Sequence, residues 1–261
     1  MHHISINDIK YQAPASWDEL TAATLLRLAI NFHFIPEHRQ HQRDYYMVYG
    51  LFNMPEILKL PNYLKDQLVP LITWVYEKPL IKAWIIKKLR ISGESYYGPK
   101  DRLANLTAEE FMFCEGAYQR YLGSNDYKYL DILIAVLYQK KHWFTGNRKK
   151  YSMESAGEHE RHFKGLKKYV KRAIAINYAG CRNFIIQAFP YIWKESEETT
   201  AIDAGTGTQI TNWASLFHDV AGDKFGYYDE VLQTNIWLVL MDMNKKSKYN
   251  EELEEKLRSN R

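Results

Sequence analysis

A chain of 261 residues, 46% hydrophobic and 25% charged, is long enough to bury a substantial core and lies outside the composition of disordered chains. Its net charge of +4 is regional: residues 140–172 hold eleven Lys or Arg against three acids, a local +8, so the remainder carries −4. The aromatic share of 15%, with 20 Tyr, 11 Phe and 7 Trp, favours packing against partners as well as a core.

In chain order, "HISINDIKYQAP" (3–14) alternates Ile4 and Ile6, then Ile9 and Tyr11, around Asn7-Asp8, which predicts a short β-hairpin. Ser16 and Glu19 match the S-x-x-E capping box, in which the serine oxygen satisfies a free N–H of the first turn. Leu20, Thr24, Leu25, Leu28 and Phe32 follow at helical spacing, and Pro36 ends that helix. "YYMVYGLFN" predicts a second helix, and four prolines between 55 and 79 keep the helices of the next stretch short. "PLIKAWIIKKLRI" (79–91) fits a short helix or a strand; the alternation of Ile81, Ala83 and Ile85 favours a strand able to pair with the N-terminal hairpin, and 93–106 reads as a loop.

Thr107-x-x-Glu110 is a second capping box, opening a helix whose buried face runs through Phe111, Cys114, Tyr118, Tyr121 and Leu122 and which Gly123 stops. "YKYLDILIAVLYQ" (127–139) is apolar enough to be a central core helix. After the polar 140–158, a long helix is expected from about 158 to 189, ending before Pro190. Residues 194–211 read as a loop, "NWASLFHDVAG" and "YYDEVLQTNIWLVLMDMN" as two helices, and the end as a charged tail. The two terminal helices (209–243) are expected to pack on the 158–189 helix. The fold class expected is mainly α, a single multi-helix domain over 1–244 with a small N-terminal β-hairpin or short sheet, followed by the tail over 245–261.

Cys114 and Cys181 lie in apolar helical patterns without a C-x-x-C neighbour, which reads as buried free thiols in a reducing compartment. The apolar stretches near 80–91 and 231–243 are interrupted and too short to span a bilayer, and "MHHISINDIKYQ" has no run of signal-peptide length. A cytoplasmic protein is expected.

Glu158-His159-Glu160-Arg161-His162 places two histidines at i, i+3 on one face, but a zinc hydrolase helix uses H-E-x-x-H, and the lysines of the next turns oppose a cation. We expect a solvated helix start with acids at its positive end, and no metal. "DAGTGTQ" (203–209) lacks the lysine that a phosphate-binding loop requires. Histidines 33, 38, 41, 142 and 218 are scattered, and no serine sits on a G-x-S-x-G elbow. No catalytic residue, enzyme activity or cofactor is therefore expected.

The basic region offers more. Arg148, Lys149 and Lys150, followed by Lys164, Lys167, Lys168, Lys171 and Arg172, form the candidate partner-binding set. On a helix Lys164, Lys167, Lys168 and Lys171 lie at i, i+3, i+4 and i+7, one cationic stripe, with Leu166, Tyr169, Val170, Ala173 and Ile174 on the buried side. Such a stripe suits solvent or an acidic protein partner. The alternative is a nucleic-acid-binding protein in which these cations neutralise phosphates and Trp143, Phe144 and Tyr151 stack on bases.

"YQAPASWDELTAATLLRL", "YYGPKDRLANLTAEEFMFCEGAYQRYL", "YLDILIAVLYQ" and "WASLFHDVAGDKFGYYDEVLQTNIWLVLMDMN" resemble, in order, uncharacterised proteins encoded in bacteriophage and prophage tail modules. The resemblance covers most of the chain and carries no catalytic residues. It implies an interaction protein of tail morphogenesis: an assembly chaperone or adaptor for other tail proteins, or a minor structural subunit. The expected location is the host cytoplasm or the assembled particle (virion), with oligomerisation compatible.

Overall fold

The structure, a computed structural model, describes residues 1–6, 8–152, 160–193, 212–222 and 224–259. It is mainly α, with two small antiparallel two-stranded sheets. The chain divides into two compact units: Met1–Lys87 with Gly165–Asn183, and Lys88–Lys164 with Phe184–Arg261.

In the first unit, β1 (His2–Ile6) and β2 (Ile9–Ala13) form the expected N-terminal hairpin, with Ile6 opposite Ile9. The first capping box falls elsewhere. The Ser16 side chain makes no cap hydrogen bond, and the Glu19 carboxylate accepts from Ala15 N at 2.7 Å and from the N-terminal ammonium at 2.8 Å. Helix α1 (Ala22–Phe34) starts instead at Thr21, boxed reciprocally with Thr24. It packs on α2 (Gln40–Phe52), with Asn31 Nδ2 donating to Tyr46 O, while Arg43 of α2 donates to the Ile35 carbonyl left open at the end of α1. A short helix, α3 (Asn62–Asp66), follows.

Residues 79–87 form no strand, which corrects that expectation. The alternation of Ile81, Ala83 and Ile85 is real, but its backbone is satisfied by helix side chains. Asn177 Oδ1 accepts from Ile85 N at 2.8 Å, Asn177 Nδ2 donates to Ala83 O at 3.0 Å, and Asn183 Nδ2 donates to Pro79 O at 2.7 Å. Ile81 and Trp84 are fully buried by this arrangement.

In the second unit, β3 (Lys88–Ile91) pairs with β4 (Glu94–Tyr97), a separate hairpin where a loop and a pairing with the N-terminus were expected. Ser92 and Gly93, both at positive φ, supply the tight turn that makes a local partner available. Helix α4 (Ala108–Ser124) opens on the Thr107/Glu110 capping box as read, but it ends at a left-handed Asn125, one residue past Ser124. Helix α5 (Lys128–Leu137) packs against α4 and is the expected apolar core helix.

The long helix expected over 158–189 is broken. Residues 160–164 are helical, 165–167 are not, and α6 (Lys168–Ala188) restarts on the Lys167 carbonyl, which accepts from Val170 N and Lys171 N. Gly165 at the break weakens helix by about 1 kcal/mol relative to Ala. Among the described residues, the terminal region holds three helices rather than two: α7 (Trp213–His218), α8 (Tyr228–Gln233) and α9 (Ile236–Ser259). Thr234–Ile236 breaks the helix because its backbone bonds to residues 106–108, with Ala108 N donating to Thr234 O and Ile236 N to Leu106 O. These helices pack mainly on α4; Trp237 of α9 meets Phe184 and Phe189 near the end of α6. The charged end continues α9 as helix through Ser259.

Candidate interaction hairpin

The basic stretch after α5 is a hairpin anchored by buried groups. Gln139 exchanges two backbone hydrogen bonds with Tyr97, extending the edge of β4. Lys149 N then donates to Lys140 O, Lys141 bridges Arg148, and His142 N donates to Asn147 O at 2.7 Å. The turn closes through Gly146 N on the His142 carbonyl, with Gly146 at φ 65°, a left-handed conformation that glycine adopts without strain.

This geometry drives Trp143 and Phe144 outward. They are 82% and 79% exposed, with ring centroids 3.8 Å apart, on a short turn. Two adjacent large aromatics at that exposure form a candidate contact surface.

The base of the hairpin is the opposite: its Arg148 and Glu110 side chains are buried and hydrogen-bonded. Arg148 donates through Nη1 to Glu110 Oε1 (2.9 Å), through Nε to Leu137 O (3.0 Å) and through Nη2 to Val136 O (2.7 Å). It thereby satisfies carbonyls at the end of α5 that have no helical partner. Glu110 Oε1 also accepts from Tyr151 N, and its Oε2 closes the cap of α4 on Thr107 N. One buried carboxylate thus holds the start of α4 and the return strand of the hairpin. Tyr151 is buried beside Phe113, and burial pushes its phenol up; the Cys114 thiol is likewise raised by burial. Tyr151 is therefore part of the anchor rather than a stacking platform.

The candidate cations divide accordingly. Lys149 and Lys150 are exposed on the return strand, and Lys141 lies 4.2 Å over the Tyr97 ring. Lys140 is held by Glu94 at 2.7 Å. Arg148 is internal. Lys164 is exposed in the turn of helix before the break, and Lys167 and Lys168 are exposed at the start of α6. Lys171 is buried, while Arg172 donates to Phe32 O at 2.7 Å and lies over the Phe32 ring. The stripe of Lys164, Lys167, Lys168 and Lys171 is therefore not carried by one continuous helix. Sequence reading named Trp143 and Phe144 only as stacking groups; Thr145-Gly146 beside them is the turn signal that would have placed them at a tip.

A cleft of about 370 Å³ in the same unit is bordered by Met112, Phe113, Gly116, Arg120, Ile132 and Trp213. Among the described residues, no three or more His, Cys, Asp or Glu gather as a metal site, and no helix is long and apolar enough to cross a membrane. His159 and the 203–209 loop lie outside the described residues. No family model matches the chain, and no curated protein or solved structure matches it.

Proposed function

We propose that this chain is a non-enzymatic protein–protein interaction component that docks an acidic partner surface through the 140–150 hairpin. The observation that carries the reading is the pair Trp143 and Phe144, exposed at the tip of a hairpin whose base is locked by Arg148 and Glu110. A hairpin anchored at its base lowers the ordering cost of binding, and aromatic anchors beside Lys149 and Lys150 suit an apolar pocket with an acidic rim. On the resemblance to tail-module proteins, we take the partner to be another protein of a phage-type tail or related contractile particle. The chain then serves as assembly chaperone, adaptor or minor structural subunit, in the host cytoplasm or the particle.

The alternative, nucleic-acid binding, draws on the same exposed rings and lysines. It is weakened by the internal placement of Arg148 and Lys171, which removes two of its cations. Co-expression with the products of the flanking genes separates the two. One of them is expected to co-purify with the wild type and to be lost with Trp143→Ser/Phe144→Ser. Absence of any such complex, together with oligonucleotide affinity that falls steeply with salt, contradicts the proposal in favour of the alternative.

A further inference from the structure

The cleft of about 370 Å³ in the second unit is built on one face of α4. Met112, Gly116 and Arg120 stand at i, i+4 and i+8 along that helix, with Phe113 and Ala117 beside them. Ile132 of α5 and Trp213 of α7 complete the apolar lining. Trp213 is 3% exposed and lies edge-on against Phe111, ring centroids 5.1 Å apart, so its wall is already formed. Ala117 is buried as well, whereas Arg120 and Asn212 are exposed, which gives an apolar interior and a polar mouth.

Gly116 is not explained by the packing of the chain. It sits inside a 17-residue helix, where glycine is destabilising relative to alanine. A Cβ built there meets no atom within 4 Å, unlike one at Gly180, where Ile81 occupies the space. The missing side chain makes room in the cleft and nowhere else. Charge adds a second constraint. Of the residues that line the cleft Arg120 alone is charged, and its guanidinium has no hydrogen-bond or ion-pair partner among the described residues. Asn212 Oδ1 accepts from Ser215 N at 3.3 Å, which leaves the amide nitrogen as a donor at the mouth.

Size and charge together define the occupant. A dry cavity of about 150 Å³ holds one benzene ring, so this cleft has room for an apolar body roughly twice that size. A single negative group on that body meets the single cation, the pattern of a ligand site with mostly apolar walls and a few placed polar groups. We infer that the cleft binds a small aromatic or alkyl carboxylate, its apolar part over Gly116 and against Trp213 and its carboxylate on Arg120. The site does not depend on the role of the 140–150 hairpin.

Isothermal titration calorimetry of the full chain with 2-naphthoate, decanoate and the neutral isostere 2-naphthamide tests it. The wild type is expected to bind both acids at one site, and 2-naphthoate about tenfold or more tighter than the amide. Arg120→Met keeps the aliphatic stem and is expected to erase that preference, with the amide affinity unchanged within about twofold. Gly116→Leu puts a side chain into the open space and is expected to abolish binding of all three probes. Its thermal unfolding midpoint, expected to hold or rise, shows that the fold is intact. Trp143→Ser/Phe144→Ser is expected to bind as the wild type does, which separates the cleft from the exposed rings of the hairpin. No saturable binding of either acid, or equal affinity for 2-naphthoate and 2-naphthamide, overturns the inference. So does binding that survives Gly116→Leu in a folded chain or is lost with the hairpin substitutions.

Discussion

Arg148 illustrates how a single residue's sequence and structural readings diverge. It sits in a run of three cations and looks like a surface charge, yet its guanidinium is spent on Glu110 and on two carbonyls at the end of α5. Arg148→Met leaves a buried carboxylate without its countercharge and opens those carbonyls. A loss of about 3–5 kcal/mol is expected in chemical denaturation. Lys149→Met, on the exposed neighbour, is expected to change stability by no more than about 0.5 kcal/mol. His33 is a second residue with a measurable signature. Burial, with Arg172 and Lys168 nearby, holds its imidazole below the usual value of 6.5. The unfolded chain therefore takes up that proton first. Stability falls as pH drops below about 6.5 and levels off once the folded-state value is passed. His33→Gln is expected to flatten that segment of the pH profile of the urea midpoint, and an unchanged profile counts against the shift.

Elements were legible where their signal is local. Thr107 and Glu110 form their capping box because both partners lie within one turn, whereas the identical spacing of Ser16 and Glu19 fails. There Glu19 has better partners in Ala15 N and the N-terminal ammonium, and Thr21 with Thr24 offers a competing start. What depends on distant partners was not legible. The alternation of 81–85 looks like a strand, but the backbone hydrogen bonds of Ala83 and Ile85 go to Asn177, and that of Pro79 to Asn183, 92 to 104 residues away. The same approach brings Ile81 against Gly180, where an added Cβ would lie 2.5 Å from Ile81 Cγ1. Gly180→Ala is therefore expected to destabilise the chain by about 1–3 kcal/mol despite the better helix propensity of alanine, as thermal unfolding would register. An unchanged midpoint would mean that the 79–87 segment is free to shift. The candidate site divides in the same way. Its aromatic and basic composition was readable, but not the turn that lifts Trp143 and Phe144 or the interior that claims Arg148, Lys171 and Tyr151.

At the scale of the whole chain, exposed large apolar side chains occur in both units, Phe34 and Tyr63 in the first and Trp143, Phe144 and Tyr227 in the second. A basic hairpin tipped by aromatics belongs to the second unit, and that unit also ends in a helix with successive basic and acidic blocks. Neither Trp143 and Phe144 nor the exposed end of α9 takes part in the cores, which rest on α1, α2 and most of α6 in one unit and on α4, α5 and the terminal helices in the other. Surface of this kind, separate from the core, suits the proposed interaction role: contacts that can be lost without unfolding. The most direct test is titration calorimetry of the wild type and Trp143→Ala against the co-purifying product of a flanking gene, with thermal unfolding measured alongside. The account predicts a loss of about 2 kcal/mol or more in binding, roughly thirtyfold, with an unchanged unfolding midpoint. Unchanged affinity in a folded Trp143→Ala protein would contradict it.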